Sequence, residues 1–597
     1  MATAMQLSSL RARIGCGGGL ILKGRRGVLT SRPLRSVVVR SAGQGGARPA
    51  PASPAKKARR AGKQAANAQA VNKRLKADDS YFWKLKADGF EREKPDQPSA
   101  AELFGDTATA TVTSSPLTDQ DDTTPRRPEI EAQTEVTRDG KAGRDVPPLD
   151  EFRDDAFRTL MPTFVFDNLV GADRMAYRRP SPVQRHTVPL ALAGHDVLAS
   201  AQTGSGKTVA FLLPLIASIV NRRQDAANAD VADTTAPCRP AALILAPTRE
   251  LALQIELEIE KLTFGAGGMP ADSGSANRRW SAAIYGGSTA RPQIQALAAG
   301  VEIIVATPGR LVDFLSRSPP LLSLARCQFL VLDEADRMMD MGFEPQLRKI
   351  VEGSDLPARD RRQTLLFSAT FPPALQAVAR RSYLRPTFAS VAVGRVGASN
   401  ASVEQRVVAC LGDGTKRDKL DTMLPLLLRA RDGGAVAAPV APAAAAAAAA
   451  ATLAEMERTI IFCNKKRVAT WVAKELEKHH GVRCAQIHGD RSQPQREAAL
   501  LQFRRDEVRV LVATDAVARG IDVADVAHVI QFDLPISVKE FESYTHRIGR
   551  TGRAGKSGRA TAIYVHGDEP GLGNGDVAYL LAAALRDTGA ECPAWLP

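Results

Sequence analysis

From about residue 150 onward the chain consists of short apolar runs, each closed by polar or glycine-containing sequence and separated from the next by a helix-like stretch. This alternation restricts the fold more than any other feature, because short strands alternating with helices assemble into parallel sheets covered by helices. In the first half the runs are Val197–Ala201, Ala241–Ala246, Ala282–Tyr285, Ile303–Ala306, Phe329–Leu332 and Thr364–Phe367. In the second half they are Thr459–Phe462, Cys484–Ile487, Val508–Ala513, Ala527–Phe532 and Ala560–Val565. Two sets of strands predict two α/β domains, at residues 149–394 and 403–597, joined by a linker at 395–402 that can act as a hinge. Segments 221–240, 264–279 and 432–451 interrupt the pattern with small and polar residues, the last ending in an alanine tract. They are expected to be surface excursions without chemistry.

The net charge of +15 suggests a polyanion partner until it is located along the chain. Residues 1–77 hold seventeen Lys or Arg and no Asp or Glu, so the globular part is nearly neutral and its chemistry has to be argued locally. Residues 1–42 are rich in Arg, Ser, Leu and Ala and lack the long apolar core of a secretory signal. They read as an organelle transit peptide, with the chloroplast as expected destination and the mitochondrion as the alternative. Residues 43–148 lack sustained periodicity and are expected to form a disordered arm. Within it, Lys56–Lys76 is basic enough to touch nucleic-acid phosphates, and Tyr81-Phe82-Trp83-Lys84-Leu85 reads as a protein-docking motif or as an unpartnered local helix. No apolar run is long enough to span a bilayer, so no membrane partner is expected. The seven cysteines are scattered without close pairs, which indicates neither a disulfide framework nor a metal cluster.

Chemistry gathers where strands end. Ala201-Gln202-Thr203-Gly204-Ser205-Gly206-Lys207-Thr208 follows a strand and precedes the apolar, helix-like Val209–Ile216. Glycines let backbone N–H groups close around phosphates, Lys207 neutralises the β and γ phosphates, and Thr208 offers a hydroxyl to Mg²⁺. At the end of Phe329–Leu332 stands Asp333-Glu334-Ala335-Asp336. Acids leaving a buried strand beside a phosphate loop suit a metal and an attacking water: Asp333 for Mg²⁺, directly or through water, and Glu334 for the water. Asp336 is expected to join the two domains. Upstream, Arg179-Pro180-Ser181-Pro182-Val183-Gln184 supplies an amide able to donate to and accept from the adenine edge, which selects ATP. Near the other end, Arg547, Arg550 and Arg553 share the segment Tyr544–Arg553, where arginines can meet charge developing on a transferred phosphoryl group.

These features, with Pro247-Thr248-Arg249-Glu250-Leu251, Gly286-Gly287, Thr307-Pro308-Gly309-Arg310, Ser368-Ala369-Thr370, Gln493 with Arg496, and Ala513–Asp522, resemble the DEAD-box RNA helicases over residues 157–597. The resemblance implies an α/β protein with two tandem RecA-like domains that acts as a monomeric, RNA-dependent ATPase with ATP and Mg²⁺. It implies that Thr248, Arg249, Gly287, Thr307, Gly309, Arg310, Arg496 and Thr514 line a path for RNA, single-stranded or from a duplex, held mostly without regard to sequence. It also implies that Arg550 and Arg553 are arginine fingers, Asp522 meets the ATP ribose, Arg547 bridges to the acids, and Ser368 and Thr370 couple the sites. An upstream aromatic is expected on adenine, Phe157 with Phe164 as competitor. Finer matches at Met341–Gln346, Val393–Gly397 and Ile487–Gln493 are similar to the subgroup containing translation-initiation helicases. The motifs do not separate unwinding from annealing or clamping.

Overall fold

The computed structural model describes residues 136–139, 142–202, 204–225, 237–266, 279–394, 403–428, 456–515, 526–552, 557–567 and 573–597. The transit peptide, most of the arm, the linker 395–402 and the insertion 432–451 therefore lie outside the described residues, as do Thr203, Asp522 and Arg553.

In the first domain the strands are β1 Val136–Asp139, β2 Asp196–Ser200, β3 Ala242–Leu245, β4 Arg279–Ile284, β5 Val301–Ala306, β6 Phe329–Asp333, β7 Gln363–Ser368 and β8 Phe388–Val393. Their order across the sheet is β1-β8-β2-β7-β6-β3-β5-β4, parallel except for the β1–β8 pair. The second sheet contains β9 Val403–Ala409, β10 Thr459–Phe462, β11 Cys484–Ile487, β12 Val510–Ala513, β13 His528–Gln531 and β14 Gly558–Tyr564, in the order β11-β12-β10-β13-β14-β9 and parallel throughout. The expected architecture of two parallel α/β sheets is what the chain adopts.

Strands in the middle of these sheets are buried along their whole length, as β2, β3, β5, β6, β10 and β12 show. Helices cover both faces, so the strands read as continuous apolar runs rather than as alternating ones. Alternation persists in where the side chains go. Ile460 and Phe462 of β10 join one core cluster, whereas Ile461 and the following Cys463 join the cluster on the opposite face. In the first domain Phe211, from the helix after the phosphate loop, packs on Phe367 of β7 with ring centroids 5.3 Å apart. That contact seats the helix on the sheet.

Three strands escape the apolar-run reading. β8 and β9 alternate buried with more open positions, a weaker signal at a sheet margin. The third, β1, lies inside the stretch expected to be a disordered arm, and this corrects the boundary at 148. It pairs antiparallel with β8, Val136 opposite Val393, and Arg138 donates to the carbonyls of Val146 and Gly143, both at 2.9 Å. The backbone pairing of a short edge strand needs no apolar pattern of its own. Among the described residues no helix is long and apolar enough to cross a membrane.

Candidate functional site

Strand register brings the phosphate loop, the acids and the Ser368 segment to one edge. Ser200 pairs with Ser368 across β2 and β7, and Asp333 pairs with Phe367 across β6 and β7. Neighbouring strands stand about 4.8 Å apart, so loop and acids face each other across about 10 Å, room for a phosphate chain. At the loop, Gly204 and Gly206 have φ of 79° and 89°, and Lys207 opens the helix Lys207–Asp225 with its Nζ donating to the Ala201 carbonyl at 2.7 Å. Lys207 is 8% exposed. Burial pushes its pKa below the usual lysine value, the charges of Asp333, Glu334 and Asp336 oppose that, and Arg550 adds to it. Thr208 follows on the same first turn, half-buried.

Gln184 is fixed from both ends of its amide. Its oxygen accepts from the Ser181 N–H at 2.9 Å within a capping box, and its nitrogen donates to the Gly206 carbonyl at 3.0 Å. These partners settle which end is oxygen, and each end keeps one hydrogen-bonding position for a base edge. The contact also ties the amide expected to read adenine to the phosphate loop. A Cβ on Gly206 would stand 2.5 Å from the Gln184 Nε2. Ser181 Oγ adds a bond to the Ser205 carbonyl at 2.7 Å. The expected adenine platform fares differently. Phe157 is 3% exposed and packs on Phe152, while Phe164 lies against Trp280, so the Phe157 ring has no open face for a purine in this arrangement. Of the described aromatic residues from Phe152 to Gln184, the most exposed is Tyr177, at 37%, on the segment leading into Ser181.

Asp333 ends β6 nearly buried, its Oδ1 accepting the Glu334 N–H at 3.0 Å. Burial raises its pKa to about 7, with the Glu334 and Asp336 charges adding and Lys207 opposing. A carboxyl still that far up beside a lysine is short of positive charge, and with the Thr208 hydroxyl across the edge it fits a divalent cation that keeps several waters. Glu334 occupies the left-handed region at φ 49°, ψ 51°, where a side-chain-bearing residue is strained by about 1–2 kcal/mol. The chain turns sharply there into the helix Ala335–Asp340. Asp336 accepts from the Thr370 N–H at 3.1 Å and its hydroxyl at 2.9 Å, and its own N–H donates to Ser368 Oγ at 3.3 Å. Burial pushes the Asp336 carboxyl up, but the charge of His546 and the surrounding donors outweigh it and hold the group below the usual range. Asp336 is thus tied to Ser368 and Thr370 by hydrogen bonds and feels the charge of His546 from the second domain.

The arginine segment divides differently from expectation. Arg547 is 1% exposed, and its guanidinium donates to both Asp515 oxygens at 2.7 and 2.5 Å, to the Asp533 carbonyl at 2.5 Å and to Asn464 at 2.7 Å. Every one of these partners belongs to the second domain, so Arg547 does not bridge to Asp333 or Asp336. It organises the edge of its own sheet, and the second-domain charge that lowers the Asp336 pKa is that of His546. Arg550 is nearly buried, its Nε donating to the His546 carbonyl at 3.2 Å, and it lies close enough to Lys207 to perturb it.

The first-domain residues expected on RNA share another stretch of the same edge, since β3, β5 and β4 are neighbours and Leu245, Ala306 and Ile284 align at their ends. Thr248 caps the helix Arg249–Leu262, accepting the Leu251 N–H at 3.3 Å. Thr307 stands at the N-cap of the helix Pro308–Leu315, which carries Gly309 and Arg310, and Arg310 donates to the Ser288 carbonyl at 3.2 Å. Two helix N-termini and arginines make a surface suited to phosphates. Gly287 has φ 77°, and a Cβ there would stand 1.8 Å from Arg249 Nη2. Across the cleft, Arg249 Nη1 donates to Gln493 at 2.9 Å and Arg496 Nη1 to Glu250 at 2.9 Å. The pairing of Glu250 and Gln493 with these arginines was not foreseen, because it joins residues more than two hundred positions apart. Thr514 is buried, and its hydroxyl has no partner among the described residues.

Residues 181–378 match the family model described as DEAD/DEAH box helicase, and residues 445–555 match the helicase conserved C-terminal domain. The chain is 41% identical over 463 residues to DEAD-box ATP-dependent RNA helicase 52A of rice, Oryza sativa subsp. japonica, a match covering 76% of this chain and 68% of the relative. Among solved structures it is similar to S. cerevisiae Dbp5 bound to RNA and ADP BeF3, with TM-score 0.53, 26% identity, and 73% of this chain and 94% of that chain covered. Mss116p bound to ssRNA and AMP-PNP is alike in fold, with TM-score 0.57, 24% identity, and coverage of 75% and 78%.

Proposed function

Because the chain belongs to the DEAD-box ATP-dependent RNA helicases, we propose that its two sheets close on ATP and RNA together, with the division of labour that follows. The protein is an RNA-dependent ATPase that locally unwinds or remodels RNA duplexes and RNA–protein complexes. The observation that supports the reading is the pair of hydrogen bonds that join the domains, Arg249 Nη1 to Gln493 and Arg496 Nη1 to Glu250, both at 2.9 Å. Hydrolysis then depends on closure, because phosphate loop and acids lie on one domain and the arginine on the other.

In this reading the loop amides and Lys207 hold the phosphates, Gln184 reads adenine, and Glu334 polarises the attacking water. Thr208 and Asp333 would hold Mg²⁺, whose charge offsets that on the phosphates. Arg550, with Arg553 as its companion, stabilises charge building on the transferred group, an effect worth roughly 10³ to 10⁵ in rate. Thr248, Arg249, Gly287, Thr307, Gly309, Arg310, Arg496 and Thr514 hold the RNA backbone, which gives little sequence preference. Ligands that each favour the closed form tighten one another's binding by linkage. The cross-cleft bonds of Arg249 and Arg496 and the Asp336–Ser368–Thr370 contacts connect the two sites. A relative bound to RNA and ADP BeF3 supports joint occupancy.

Further proposals rest on sequence. The acid-free start supports import into the chloroplast, with the mitochondrion as alternative, and the Met341–Gln346 and Ile487–Gln493 segments support kinship with translation-initiation helicases. The basic arm supports extra RNA or protein contacts, and the protein acts as a monomer. The test of the central reading is ATP hydrolysis by the purified chain with and without single-stranded RNA, alongside displacement of a short RNA duplex. Stimulation by RNA is expected, and hydrolysis indifferent to RNA would overturn the coupling.

A further inference from the structure

Away from the cleft, the first domain carries a cavity of about 400 Å³ lined by Arg348, Arg359, Arg362 and Arg381, with Glu352 and Ser382. Arg362 immediately precedes β7, whose far end is Ser368 at the acid site. Six residues of strand at about 3.3 Å each put roughly 20 Å between them. The cavity is therefore separate from the phosphate loop.

The arginines come from three elements. Arg348 lies on the helix Glu344–Val351, Arg359 and Arg362 on the loop before β7, and Arg381 on the π-helical turn Ala379–Tyr383. Like charges gathered in this way repel unless something holds them. Arg359 Nη1 donates to the carbonyls of Arg380, Arg381 and Leu384 at 3.2, 2.8 and 3.4 Å, which fixes the turn against the loop. Arg362 Nη1 donates to the Pro357 carbonyl at 2.5 Å and its Nε to Thr364 Oγ1 at 3.3 Å. Arg362 is only 4% exposed, and its Nη2 has no hydrogen-bond partner among the described residues. Burial holds its pKa below the usual arginine value. Buried polar groups in folded proteins are nearly always paired, so an orphaned cationic donor in a cavity wall calls for an anion. Glu352 meets part of this need, accepting from Ser382 Oγ at 3.1 Å and lying 4.0 Å from Arg348 Nε. Glu344, outside the lining, pairs with Arg348 at 3.4 Å, so two carboxylates stand against four arginines and the cavity keeps a positive excess.

We propose that this cavity binds a small anion carrying adjacent phosphate groups. Planar guanidinium forks match phosphate oxygens in pairs, and the volume falls in the range of small-molecule sites. Single-stranded RNA is the weaker fit, because it uses aromatic platforms along an open groove and no aromatic side chain lines this cavity. The source is either an inorganic polyphosphate or the phosphate chain of a nucleotide.

The test uses the full-length chain saturated with a non-hydrolysable ATP analogue and single-stranded RNA, so that the cleft is occupied. Tripolyphosphate and GTP are then titrated in separately at low salt by calorimetry. One equivalent of tripolyphosphate is expected to bind, and the rim double variant Arg348→Gln/Arg381→Gln should weaken it at least about tenfold without changing ATPase activity. Arg361→Gln, an exposed arginine beside the cavity that does not line it, controls for the general positive field and should change affinity less than about twofold. Tighter binding of GTP than of tripolyphosphate would support the nucleotide source, and tighter binding of tripolyphosphate the inorganic one. Binding of neither, or equal weakening by Arg361→Gln, would overturn the site.

Discussion

Glu256→Gln should stabilise the protein above neutral pH and leave it unchanged in acid. Glu256 lies half-buried on the helix Arg249–Leu262, with Oε1 accepting the Ala283 N–H at 2.9 Å. Burial, then the charge of Glu260, raises its pKa from 4.5 to about 7, against the weaker pull of the Ala283 bond and Arg279. A folded-state pKa above the unfolded value means that the native state holds this proton more tightly. The resulting stability is fully present below about pH 4.5 and is lost as pH rises through about 7. At about 1.4 kcal/mol for each tenfold change in proton affinity, forcing the charge costs at most about 3 to 4 kcal/mol, and partial solvent screening brings this to about 2. Glutamine keeps the size and the acceptor for Ala283 without the charge. For a domain of this size about 2 kcal/mol corresponds to roughly 4–8 °C in Tm. Thermal unfolding followed by circular dichroism should show that gain at pH 8.5 and almost none at pH 4. An equal shift at both pH values, or a loss at pH 8.5, would refute the reasoning, because the carboxylate would then be well solvated or doing a job that only its charge can do.

Glu334→Gln should reduce RNA-stimulated ATP hydrolysis by about 10² or more while ATP and RNA still bind, and fluorescence titration beside a phosphate-release assay separates the two effects. In Gly287→Val the new side chain meets Arg249, so RNA-stimulated turnover should fall at least about tenfold with basal hydrolysis retained; an unchanged RNA dependence would remove Arg249 from the coupling. Chelating divalent cations should abolish hydrolysis, and added magnesium should restore it, with Thr208→Ala shifting the magnesium requirement upward. In Gly206→Ala the added methyl crowds Gln184, so ATP should lose its advantage over GTP in competition binding.

Much of this site was legible because its parts are contiguous. The loop Ala201–Thr208 and the acids Asp333–Asp336 carry their chemistry in local order, and each follows an apolar run whose strand character is written in the same few residues. The strands that stayed hidden, β1, β8 and β9, have weak local patterns, and β1 is held by pairing with β8 rather than by a core of its own. Phe157 resembled a stacking ring in sequence because spacing says nothing of whether a face is covered, and packing on Phe152 covers it.

Sequence alone determined two parallel α/β domains, a phosphate loop and an acid pair at strand ends, and the family to which they belong. Tertiary structure decided what faces what. Arg547 turns to Asp515 and Asn464 within its own domain, the charge of His546 acts on Asp336, and Arg249 and Arg496 reach Gln493 and Glu250 across the cleft. Arg348, Arg359, Arg362 and Arg381 converge on one cavity although three elements carry them. The physical reason is range: periodicity and turn chemistry act within a few residues, whereas a side chain's partner is chosen by the packing of elements distant in the chain.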